Sequence, residues 1–91
     1  MHEKKERKKQ MRKEELTKLY DHLHTTLLRQ ISITGVGYEA QFLLNGVFML
    51  YQSRMISYKD FTNLNGYIIG IADDRVKTLN YERLKKNNEK V

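Results

Sequence analysis

Asp21, His22 and His24 are the side chains of this sequence that come nearest to a metal-binding set. On a helix, ligands must stand at i, i+3 or i, i+4, and positions 22 and 24 face apart. Only Asp21 with His24 fits that spacing, and two ligands do not make a zinc site, so no metal is implied. Asp73 and Asp74 are adjacent carboxylates. Helix neighbours point about 100° apart, so the two read as a solvated face and not as a general acid–base pair. Gly35 and Gly37 form a GxG with no lysine and no preceding strand, which reads as turn chemistry and not as a phosphate loop. Serine, histidine and aspartate occur without the order of a triad. The expectation is a protein that is not an enzyme, with no catalytic residue, cofactor or small-molecule substrate.

The clearest chemistry is positive charge. Lys4, Lys5, Arg7, Lys8, Lys9, Arg12 and Lys13 lie in the first 13 residues against Glu3 and Glu6, and the whole chain carries +6. These 13 residues therefore hold nearly all of the net charge, and the rest of the chain is close to neutral. A run of this kind grips nucleic-acid phosphates without reading sequence, or else it is a solubilising tail. It lacks the leucine and aromatic face of a membrane-surface helix.

Tyrosine is the other residue type in excess, with six among 91 residues. Tyr20 and Tyr51 fall on apolar stripes, where a tyrosine with its hydroxyl at the rim is ordinary. Tyr38, Tyr58, Tyr67 and Tyr81 fall outside the main stripes. They are placed either to stack on bases or to anchor a protein interface.

Three helices are needed to position these groups. From Lys13 to about Ile31, Leu16, Tyr20, Leu23 and Leu27 step by four, three and four, with Leu19 and Leu28 widening the stripe. Glu14 and Lys18 stand in the favoured ion-pair orientation. Ser32 to Gly37, SITGVG, is expected to break the helix, its glycines permitting positive φ. The second helix is expected near Tyr38 to Arg54, with Ala40, Leu43, Leu44, Val47, Phe48 and Tyr51 on one face and Met55 continuing it. Tyr38, Phe42 and Met49 make a second apolar set roughly 160–200° round from Ala40. A helix apolar on two sides needs two layers of cover, and a chain of 91 residues supplies little more than one.

Ser57, with Asp60 three residues on, reads as a capping box, and Ile56 with Phe61 as a hydrophobic staple. The third helix is therefore expected to start at Tyr58 and fold back as a hairpin. It should run to about Asn80 with Phe61, Leu64, Ile68, Ile71, Ala72, Val76 and Leu79 inward, followed by a polar tail for which helix through Lys86 is an open alternative. Gly66 and Gly70 have a small-xxx-small spacing that admits a neighbouring backbone.

The expectation is an all-α, three-helix domain with a helix 2–helix 3 antiparallel hairpin. Residues 1–13 would be a basic arm, 14–86 the domain and 87–91 a frayed tail. No cysteine is present, the N-terminus has no apolar run of a signal peptide, and no stretch reaches membrane-spanning length. A cytoplasmic protein without membrane contact is expected, and the Lys, Asn, Ile and Tyr usage suits an AT-rich mobile genetic element.

The function implied is a small accessory protein of DNA transactions, replication or regulation. It would dock on a protein partner or dimerise with itself through Tyr38, Phe42, Met49 and Tyr67, and hold nucleic acid through the arm. One alternative is a protein-binding adaptor or inhibitor. Another is a helix-turn-helix-like regulator presenting Tyr58, Lys59, Thr62 and Asn63.

Overall fold

The computed structural model describes residues 10–90, with side chains to residue 88. These residues form three helices and no strand: α1 (Lys13–Leu28), α2 (Ile33–Gln52) and α3 (Tyr58–Lys90). The fold is all-α. α2 and α3 pack as the most extensive pair, and α1 lies chiefly on α3 with a smaller contact to α2. Lys4, Lys5, Arg7, Lys8 and Lys9 of the basic arm lie outside the described residues.

The core is the meeting of the three predicted stripes. Leu23 and Leu27 of α1, Leu43 and Val47 of α2, and Leu64 and Ile68 of α3 are buried, together with Val36 and Ile56. Leu16, Leu19, Tyr20, Ala40, Leu44, Leu50, Tyr51, Phe61 and Ile71 pack round them, partly buried. No polar side chain is buried among the described residues.

The SITGVG segment does not break the chain as expected. α2 begins at Ile33 and runs straight through Gly35 and Gly37, and no described glycine has a positive φ. Ser32 is the reason. Its extended backbone opens the helix and its Oγ accepts from the Gly35 N–H at 3.0 Å. A serine cap of this kind is worth about 1 kcal/mol, and burial of Val36 adds to it. A Cβ at Gly35 would sit 3.0 Å from both Ser32 Oγ and Gln30 Oε1, so a larger residue would press on the capping hydroxyl and on the Gln30 amide.

The left-handed residue lies at the other end of α2. Arg54 has φ 62°, the positive value that glycine usually supplies at this position. The Met55 N–H reaches the Leu50 carbonyl at 2.9 Å and the Arg54 N–H reaches the Tyr51 carbonyl at 2.9 Å. That pair of bonds is a Schellman closure with arginine in the glycine position. The next helix opens as the sequence implies, with the Asp60 N–H donating to Ser57 Oγ at 3.0 Å and Ile56 buried under the turn. Asp60 is one methylene shorter than the usual glutamate, and the return bond to the Ser57 N–H is not formed.

Two bonds from outside the helical ladders lock the ends of the bundle. The Met11 N–H donates to the Met55 carbonyl at 2.9 Å, and Arg75 Nε donates to the Gln30 carbonyl at 3.0 Å. α3 then continues past Asn80, through the stretch read as a polar tail, to Lys90. Side chains from Tyr81 to Asn88 are exposed. This overhang persists as helix because it contains no proline and consists largely of good helix formers. The ion pair expected between Glu14 and Lys18 is absent. Glu15 instead accepts from the Arg12 N–H at 2.8 Å, half of a capping box, since arginine has no acceptor for the other half.

Gly66 and Gly70 face outward, and a Cβ on either would meet nothing within 4 Å. No backbone among the described residues uses the close approach they permit. Gly66→Ala and Gly70→Ala should each raise stability by about 1 kcal/mol, read as a higher urea midpoint. Arg54→Gly should raise it by roughly 0.5–1 kcal/mol, the left-handed penalty less glycine's extra unfolded-state entropy. A lower midpoint for Arg54→Gly would mean that the arginine side chain contributes more than its backbone conformation costs.

Candidate protein interface and nucleic-acid arm

α2 is a helix of 20 residues with a single charged side chain, Glu39. Its inner side carries Val36, Leu43 and Val47 into the core. On the opposite side Tyr38, Phe42 and Met49 recur at i, i+4 and i+11 and form one stripe. They are 75%, 71% and 65% exposed. Asn45 and Gly46 lie between Phe42 and Met49. Asn45 Oδ1 accepts from Gln41 Nε2 at 3.3 Å. A Cβ at Gly46 would again find nothing within 4 Å, so the surface beside Phe42 is open there. Ile31, just ahead of the helix, is 86% exposed and lies apart from this stripe.

Tyr67, the fourth interface position implied by the sequence, is elsewhere. It is half-buried at the seam of α1 and α3, edge-on to Tyr20 with ring centroids 4.8 Å apart. The remaining tyrosines divide between two settings. Tyr51 stacks on Phe61 at 4.7 Å and 17°, with Tyr58 5.9 Å from Tyr51 and 6.1 Å from Phe61. Phe48 approaches Phe61 at 6.1 Å, so four aromatic rings clasp the α2–α3 turn. Tyr81 is exposed on the overhang.

Of the basic arm, Arg12 and Lys13 are described, and both are exposed at the start of α1. Arg12 lies 4.0 Å from Glu15, an exposed pair of little energetic weight. What fixes the root of the arm is the backbone bond from Met11 to Met55 on one side and the bond from the Arg12 N–H to the Glu15 carboxylate on the other.

Tyr58, Lys59, Thr62 and Asn63 at the head of α3 are all exposed. Thr62 Oγ1 is turned back to the Lys59 carbonyl at 3.0 Å. His22, His24 and Asp21 are exposed on α1, and Asp73 pairs with Lys77 at 3.3 Å. Among the described residues no three histidine, aspartate or glutamate side chains converge. None of the described helices is long and apolar enough to cross a membrane.

One feature escaped the sequence. An open groove of about 730 Å³ lies between the α1–α2 connection and the α3 overhang, with Ile31, Ile33 and Leu79 as apolar lining and Arg83 and Lys86 among its polar residues. The continuation of α3 beyond Asn80 creates it.

No protein-family model matches the chain, and no curated protein and no solved structure is significantly similar to it.

The Tyr20–Tyr67 seam has a titration consequence. Burial, then the Asp60 carboxylate and then Tyr67, push the Tyr20 phenol above its ordinary value. A folded-state pKa raised above the unfolded one gives stability that is full below the unfolded value and lost as pH rises through the folded one. The loss should therefore set in above pH about 10. Tyr20→Phe should flatten the fall in thermal stability there while changing little at neutral pH. Identical alkaline slopes for both proteins would remove Tyr20 from that account.

Proposed function

We propose that this chain is a non-enzymatic accessory protein of DNA transactions, whose helical body associates through the outer face of α2 while its basic arm holds phosphates. The segregation of charge carries the reading. Seven basic residues stand within the first 13 of a chain of net charge +6, whereas α2 has one charged residue in 20. Binding of a polyanion and binding of an apolar surface are thus assigned to separate parts of the molecule. Phosphate contacts by lysine and arginine release counterions, which gives affinity without sequence preference.

A second reading, a protein-binding adaptor or inhibitor, is favoured by the exposure of Tyr38, Phe42 and Met49 alone. Tyrosine, phenylalanine and methionine are the residues enriched in the buried centres of protein interfaces.

The two readings part on salt. Fluorescence anisotropy of labelled DNA with the full chain should show affinity falling steeply with ionic strength. With all seven arm cations engaged the slope of log K against log salt would approach roughly −6. Replacing Lys4, Lys5, Arg7, Lys8, Lys9, Arg12 and Lys13 by glutamine should abolish binding with helicity unchanged by circular dichroism. If the full chain binds no DNA at low salt, the adaptor reading takes its place.

A further inference from the structure

The outer face of α2 has three properties that together select its occupant. It is nearly free of charge, so two copies meeting on it bring no like charges of α2 together except Glu39. It offers a strongly acidic or basic partner nothing to pair with except Glu39. It also carries a large ring and a bare backbone position side by side: Phe42 projects, and Gly46, one helical turn on, is open. Under a two-fold rotation the ring of each copy can lie over the bare position of the other.

We propose that a second copy of the chain covers this face, with the two α2 helices antiparallel about an axis midway between Phe42 and Gly46. Phe42 of each copy then seats over Gly46 of the other, and Tyr38 of each lies beside Met49 of the other. Asn45 and Gln41 sit next to the axis and supply the polar contacts that set register. The pairing rests on the reading that the body associates through this face, and is independent of phosphate binding by the arm.

The area sets the strength. An aromatic side chain can bury about 150–250 Å². At the exposures given above, Tyr38 and Phe42 hold on the order of 300 Å² of free surface. With Met49 the stripe offers on the order of 400 Å² per copy, so these three residues bury about 800 Å² in a pair. The exposed Gln41 and Asn45 at the rim bring that toward the roughly 1,000 Å² at which specific interfaces begin. A weak, reversible dimer is expected. Each chain supplies the inner cover of its own α2, and the other copy supplies the outer cover.

Sedimentation equilibrium of the full chain tests this. The mass should rise from 10.9 kDa toward twice that value with concentration, and association should strengthen with salt as repulsion between the copies is screened. Phe42→Ala should weaken the dimer by about thirtyfold or more, the size of a hot-spot loss. Gly46→Leu covers the bare position on which the ring of the other copy would lie and should weaken it comparably. Both variants should keep their helicity, since neither position is part of the core and the Gly46 side is open.

The chain has no cysteine, so single-cysteine variants report orientation directly. Asn45→Cys should cross-link with itself and Tyr38→Cys should not. Wild-type protein that stays monomeric at high micromolar concentration overturns the pairing. So does an undiminished dimer in either Phe42→Ala or Gly46→Leu, or self-cross-linking of Tyr38→Cys, which would mean parallel helices. A monomer that still binds DNA with steep salt dependence sinks the pairing and leaves the arm's role intact. A dimer indifferent to DNA does the reverse.

Discussion

Burial of Val36, Leu43 and Val47 along one side of α2, against Leu23 and Leu27 of α1 and Leu64 and Ile68 of α3, is the contact on which the rest of the molecule depends. These are small and branched aliphatic side chains with no polar group among them, so nothing but area and fit holds them. A core this small sets a limit on the whole chain. It can cover α2 from within and has nothing left to place on the other side. The exposed stripe of Tyr38, Phe42 and Met49 follows from the size of the chain as much as from its sequence.

What was legible was periodic. The inward residues of all three helices recur at helical spacing, and structure and pattern agree on most of them, Leu16 through Leu27 and Phe61 through Leu79 included. The hairpin was legible because Ser57, Ile56 and Phe61 announce a helix start with both a cap and a staple. Ser32 performs the same capping chemistry at α2, but its partner three residues on is Gly35, which has no side chain to complete a box. Two glycines close together then read as a stop where the chain in fact begins a helix. Arg54 left no trace, since arginine carries no preference for the left-handed region.

The candidate site was legible in part for a related reason. Tyr38, Phe42 and Met49 lie opposite a core stripe on a helix whose inner face is narrow, and their common direction can be read from spacing alone. Tyr67 belongs to α3, which packs against both other helices. A helix in that position buries a wider arc than a single stripe. A residue counted as outside the stripe then falls into the seam with the neighbouring helix, where Tyr67 meets Tyr20. The groove beside Leu79 arises from the length of α3, and polar helix-forming residues give no periodic signal by which that length is read.

The bond from Met11 to the Met55 carbonyl gives the molecule a mechanical address. The residues just ahead of α1 are thereby pinned beside the α2–α3 turn, near the stacked rings of Tyr51 and Phe61. The pin is one hydrogen bond, worth about 1 kcal/mol net, so fraying of α1 from its N-terminus costs that much more than helix unwinding alone.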